Sequence, residues 1–381
     1  MPVITAGGMR FQQAWDDIPE EQIKAEEQAR IESTIHRALE LGINHIETAR
    51  GYGSSEFQLS KVLKDIPREK YILQSKVTPN GDPKKFEEVL QQTFARLGCE
   101  YLDLFSFHGI NLPEHIDWII RPGGCMEVAR RWQKEGRIRH VGFSTHGTCK
   151  TITQAIETGE FDYVNLHWYF INQTNWAAIE AANRHDMGVF IISPNDKGGK
   201  LYEPPQKLVD LCAPLTPMAF NSLFCLRRPE VHTLSVGASK PAEYDPQIEA
   251  LRHYDNIDAT IAPIEERIRE AMVDALGADW WPRYLEGLPT WDEAPGEINL
   301  PYILRLWSLA KGLDMHEYGK YRYNMIGEAN HWMAGNKADE FDEAAVLQAL
   351  NGHPHAARIP GILREAHTMF GGMPGKRLSS A

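Results

Sequence analysis

The chain has 381 residues, 43% of them hydrophobic and 24% charged, with a formal net charge of −12. This is an ordinary globular composition, long enough for one large core and a smaller second domain, and it excludes disordered and collagen-like classes. The acidic balance leaves no basic stripe to track phosphates, so nucleic-acid binding is not expected, and no apolar stretch reaches membrane-spanning length.

The opening residues carry no basic segment followed by an apolar run, and a cytoplasmic location is the expectation. Cys99, Cys125, Cys149, Cys212 and Cys225 form no Cys-x-x-Cys pair and are odd in number, which argues against a disulfide framework or a structural zinc site.

Taken in order, apolar strand-like runs fall at residues 3–9, 42–48, 71–76, 102–108, 138–144, 163–168, 188–193 and 233–237, with helical patterns between most of them. The segment 20–41 illustrates the helical case: acidic residues come early, Ile31, Ile35, Ala38 and Leu39 share one stripe, and Gly42 closes it. Near-continuous apolar strands alternating with helices predict a parallel sheet covered by helices. Eight such units in about 250 residues predict a closed (β/α)8 TIM barrel. From Glu266 the rhythm stops and amphipathic helices follow, so the domains are predicted as a barrel over 1–265 and an α-helical extension over 266–381.

In such a barrel, chemistry collects where strands end on the C-terminal face. Glu47, Lys76, His108, Ser144, Asn165 and Ser193 all fall at or near strand ends, and Tyr52 follows the second strand in Ile-Glu-Thr-Ala-Arg-Gly-Tyr-Gly-Ser-Ser-Glu. A carboxylate, a phenol, an ammonium and an imidazole brought together there can deliver a proton to a carbonyl oxygen while hydride reaches its carbon. A phenol titrates near 10, and a neighbouring ammonium lowers that value by stabilising the phenolate. Lys76 is expected to do this to Tyr52, with Glu47 holding the ammonium charged and His108 orienting the carbonyl or relaying the proton.

The combination of that glycine-tyrosine run, Lys76 and His108 resembles the aldo-keto reductase superfamily, over roughly residues 3–260. The resemblance implies a catalytic tetrad of Glu47, Tyr52, Lys76 and His108, NADP(H) as cofactor, and a small-molecule carbonyl substrate. Glu47 stands where the family has aspartate, adding a methylene that moves the carboxylate by more than about 1 Å on an unchanged backbone. For the cofactor, the resemblance implies Ser144, Thr145 and Asn165 at the nicotinamide carboxamide, and Ser193, Lys197 and Gly198 in a loop over the pyrophosphate. It implies Gly237, Ser239 and Lys240 at the adenosine phosphate, the lysine favouring the 2′-phosphate of NADP. The aromatic residue that stacks on the nicotinamide in relatives is replaced near Ile192 by an aliphatic one, with Trp168 as its substitute from the neighbouring strand.

The C-terminal order of residues resembles the ferredoxin-like extension of one aldo-keto reductase subgroup. Residues 338–360 contain no cysteine, so no iron–sulfur cluster and no metal site are expected. His353, His355 and His367 read as surface residues, His146 and His167 as residues facing the site mouth or as structural histidines, and Trp280 and Trp281 as anchors of the extension. The function expected is an NADP(H)-dependent aldehyde or ketone reductase. The competing reading is an NADP(H)-binding regulatory or sensor protein on the same barrel, with a lyase or isomerase lacking nicotinamide behind it.

Overall fold

The computed structural model describes residues 1–372; residues 373–381 of the expected extension lie outside them. Eight parallel strands close into a barrel in sequence order: β1 (Ile4–Gly7), β2 (His45–Glu47), β3 (Ile72–Val77), β4 (Leu102–Phe107), β5 (Ile138–Ser144), β6 (Tyr163–Leu166), β7 (Gly188–Ile192) and β8 (Thr233–Gly237). Helices lie between them, so the fold is a (β/α)8 barrel with further helices after it. Gly7 pairs with Glu47 on one side and Gly237 on the other, which closes the ring.

Each strand falls on a run of small, β-branched and aromatic residues, and alternate residues of a strand point to opposite faces. The inward set on β2 to β4 and β6 is His45 and Glu47, Gln74 and Lys76, Leu104 and Ser106, and Tyr163 and Asn165. These side chains meet in layers. At the N-terminal ends, Thr5 Oγ1 lies 2.7 Å from His45 Nδ1 and 2.8 Å from Thr233 Oγ1. Leu104, Tyr163 and Phe190 form an apolar layer, with the Tyr163 and Phe190 rings stacked at 4.9 Å. Above it, Gln74 Nε2 donates to Ser106 Oγ at 2.9 Å and to Asn165 Oδ1 at 3.0 Å, and Ser106 Oγ lies 2.9 Å from Tyr163 OH. The charged residues occupy the top, and the polar middle layer fixes them from below.

The first long helix is Ala25–Glu40, preceded by a separate 3-10 turn at Glu20–Gln22. It starts later than the acidic run at 20 suggests because Pro19 opens that short turn and Ile23 and Lys24 are extended. Ile31, Thr34, Ile35 and Ala38 are buried, and Gly42 takes the left-handed conformation that ends the helix, with φ +79°.

The chain divides into two compact units, one of residues 1–198 and 221–257, the other of 199–220 and 258 onward. The expected break at 265/266 falls inside the helix Ile257–Leu276. In the second unit, the helix Leu300–Leu313 crosses Ile257–Leu276 so closely that a Cβ on Gly312 would meet Met272 Sδ at 2.2 Å. Trp280 is buried within this unit, stacked on Tyr284 at 5.9 Å, edge-on to Trp307, and donating from Nε1 to Ser308 Oγ at 2.9 Å. His353 and His355 contact the carbonyls of Tyr284 and Asp279, and His367 Nδ1 contacts Tyr323 OH, so these histidines hold backbone and helices together. Among the described residues, no single helix is long and apolar enough to cross a membrane, and no group of three or more His, Cys, Asp or Glu is placed to hold a metal ion.

Candidate functional site

Strands β2, β3 and β4 end side by side, which brings Glu47, Lys76 and His108 to one rim; Tyr52 reaches them from the turn after β2. Lys76 is buried and donates to Glu47 Oε1 at 2.5 Å and to the Thr48 carbonyl at 2.9 Å. Glu47 Oε2 accepts from Asn165 Nδ2 at 3.5 Å. The extra methylene of glutamate is therefore taken up without losing the ion pair. Lys76 Nζ sits 4.9 Å from the centroid of the Tyr52 ring, and that ring meets the His108 ring edge-on at 5.5 Å.

The electrostatics follow from burial and neighbours. For Lys76, burial pulls the pKa down, but the Glu47 carboxylate and hydrogen bonds to Glu47 and Tyr52 lift it above the ordinary lysine value. For Tyr52, burial raises the phenol pKa; the Lys76 charge and hydrogen bond lower it, the Glu47 charge raises it, and the result is upward. Lysine thus acts in the expected direction, and desolvation outweighs it. Tyr52 holds its proton at neutral pH.

Behind the rim, Glu56 is fully buried and its carboxylate accepts from Ser75 Oγ at 2.6 Å. Burial pushes its pKa up to about 7, against the pull of the Ser75 hydrogen bond and of Arg50 and Arg96. At the other end of the barrel, burial lowers His45 to about 4.

The residues expected to hold a nucleotide are distributed differently from one another. Ser144 Oγ accepts from Gly109 N at 3.1 Å. The Thr145 hydroxyl is fully committed, donating to the Ile110 carbonyl at 2.6 Å and accepting from Gly147 N at 2.9 Å. Asn165 faces inward, held by Gln74 and Glu47. Trp168 does not replace the stacking aromatic: it is buried outside the barrel interior, stacked on Phe224 at 4.8 Å. Its neighbour His167 faces the mouth instead, as strand alternation requires.

After β7, Ser193 has φ +52° and its carbonyl accepts from Lys197 N at 3.1 Å. Only glycine fits at 198, because a Cβ there would meet the Pro194 carbonyl oxygen at 2.1 Å. This turn aims Lys197 Nζ to within 2.9 Å of His146 Nδ1 and 3.0 Å of His167 Nε2. Tyr169 OH donates to the Ile192 carbonyl, so His167 Nδ1, 2.6 Å away, is the donor to that hydroxyl and Nε2 accepts from lysine. After β8, Gly237 leaves space beside Arg10, Lys240 is exposed, and Ser239 is engaged with Glu243. Lys197 on the loop after β7 and the exposed Lys240 on the loop after β8 are cations that suit phosphate groups, where barrel enzymes hold them, and Arg10 joins them from the turn after β1. The thiolates an iron–sulfur cluster needs are not present in the second unit beyond Cys212.

The aldo/keto reductase family model matches residues 3–201, over half of the chain. The chain belongs to the aldo/keto reductase family. Among curated relatives, the NADH-specific methylglyoxal reductase of Escherichia coli is 26% identical over 161 residues, 37% of this chain and 48% of its own. An aldo-keto reductase of Mycobacterium avium is 30% identical over 179 residues, 45% of this chain and 59% of its own. The chain thus spans about half the length of the curated relatives it matches. Of solved structures, the holo form of an aldo-keto reductase from Bacillus halodurans superposes with a TM-score of 0.58 at 18% identity, covering 70% of this chain and 91% of that one. An aldo-keto reductase from Klebsiella pneumoniae in complex with NADPH gives 0.54 at 16%, covering 68% and 90%. At these identities the likeness establishes the fold.

Three polar features were not singled out in sequence: the Gln74–Ser106–Tyr163 layer, buried Glu56, and Glu243. The first carries a usable signal, because Gln74, Ser106 and Asn165 are polar residues inside short, largely apolar strand runs, at positions whose side chains share the inward face.

Proposed function

We propose that this aldo/keto reductase reduces a small aldehyde or ketone to the alcohol, with a nicotinamide nucleotide as reductant and Tyr52 as general acid. The observation that carries the reading is the contiguous set Glu47, Lys76, Tyr52 and His108 at one rim. The nucleotide, when bound, supplies a hydride to the carbonyl carbon. Tyr52 gives its phenolic proton to the carbonyl oxygen, and the C=O double bond becomes C–O–H. Lys76 stabilises the phenolate that forms, and Glu47 keeps Lys76 charged and pointed at it. His108 takes the role of orienting the carbonyl oxygen, which its edge-on contact with Tyr52 supports. Solvent returns the proton to Tyr52 afterwards.

Ser144 and Asn165 are the residues assigned to the nicotinamide end, Ser193, Lys197 and Gly198 to the pyrophosphate, and Gly237, Ser239 and Lys240 to the adenosine end. Thr145 contributes by shaping the loop, since its hydroxyl is already used. Lys240 is the feature that speaks for NADP(H). The names of the relatives point to methylglyoxal as a first substrate to try. The test uses a nucleotide deuterated at its transferable position with methylglyoxal or an aromatic aldehyde. The reading predicts an alcohol carrying one deuterium on the former carbonyl carbon; no alcohol, or alcohol without the label, would sink it.

A further inference from the structure

The loop after β8 already holds an anion of its own. Glu243 Oε2 accepts the Ser239 N–H at 2.6 Å, both of its oxygens lie 3.1 Å from Ser239 Oγ, and Arg10 approaches to 3.9 Å. Arg30 braces the same loop by donating to the Ser239 carbonyl at 2.6 Å. The carboxylate is about 29% exposed and Arg10 about 31%, so a ligand at the rim can meet both. These are the donors that a phosphate on the adenosine ribose would need, and a phosphate dianion would have to expel a carboxylate to reach them. A ribose 2′-hydroxyl faces no such conflict. It donates to the carboxylate, whose Oε1 has acceptor capacity left after Ser239.

We propose that Glu243 sets the nucleotide preference, selecting an adenosine ribose with a free 2′-hydroxyl, so that the chain takes NADH over NADPH. The proposal rests on the nicotinamide-dependent reading above, and it runs against the preference that Lys240 alone implies. Lys240 is exposed, where solvent screens its charge, whereas Glu243 is half-buried and fixed by three contacts to the loop itself. The fixed charge decides, and Lys240 stays at the adenosine end as the weaker, solvent-screened charge.

The experiment is a fluorescence titration of the full chain with NADH and with NADPH, for wild type and Glu243→Gln. Glutamine keeps an oxygen to accept from Ser239 and removes only the charge. The expected result is NADH at least about tenfold tighter than NADPH in wild type, with NADPH tightened about tenfold or more in the variant and NADH changed little. A second measurement needs no variant: 5′-AMP should displace NADH from wild type better than adenosine 2′,5′-bisphosphate does. NADPH binding more tightly than NADH in wild type, or a preference unmoved by Glu243→Gln, overturns the proposal and leaves the reductase reading standing. Failure of both nucleotides to bind overturns the two together.

Discussion

Replacing Glu56 by glutamine separates burial from the other influences on this site. In the folded chain the carboxyl is held at about 7 by burial, against an ordinary 4.5. That difference corresponds to about 3 kcal/mol between its neutral and charged forms. Below pH 4 both folded and unfolded chains keep the proton. As pH rises from 4.5 to 7 the unfolded chain ionises first, so stability falls through this window, and above 7 the loss is complete. Glutamine fills the same space and still accepts from Ser75 Oγ, but has no proton to lose. The variant should match wild type near pH 4.5 and exceed it by up to about 3 kcal/mol at pH 8. Urea unfolding followed by far-UV circular dichroism at pH 5 and pH 8 measures this, read as the difference between the two proteins. Equal pH dependence of both, or a variant less stable at pH 8, would refute the reasoning.

The same comparison for His45→Gln should have the opposite sign. Burial holds His45 at about 4, below its ordinary 6.5, so its contribution is present above 6.5 and lost as pH falls through 4, again by about 3 kcal/mol. The two groups oppose each other over much of the same range, and each becomes visible only against its own variant. Lys76→Met would leave the Glu47 carboxylate buried without its ion-pair partner, at a cost of roughly 3–5 kcal/mol. Thermal unfolding should show most of that loss recovered in the double variant Lys76→Met, Glu47→Gln; no recovery would mean that the pair is not the cause.

The barrel was legible because its strands are short apolar runs punctuated by helices, and all eight lie where hydrophobic patterning puts them. The rim was legible for the same reason: Glu47, Lys76 and His108 are polar residues at the ends of such runs. What patterning does not convey is competition among several partners for one group. Lys76 lowers the Tyr52 pKa as its charge requires, yet burial raises it further, and no linear reading of residues ranks those two. The Thr145 hydroxyl likewise stands where the family resemblance puts a nucleotide contact, and in space it is spent on Ile110 and Gly147. Trp168 is one residue out of phase: strand alternation sends it outward to Phe224 and sends His167 to the mouth. The division of the chain was hidden for another reason. Residues 199–220 join the second unit although the barrel strand β8 follows them, so the units are not consecutive stretches.

The central claim is that Tyr52 delivers the proton. Its most direct test is nucleotide consumption with methylglyoxal by wild type and Tyr52→Phe, with nucleotide binding measured on the same samples. Removing one hydroxyl should leave nucleotide affinity unchanged and lower turnover by roughly 10²–10⁴-fold. Turnover by the phenylalanine variant at the wild-type rate, with the nucleotide bound, would contradict the account.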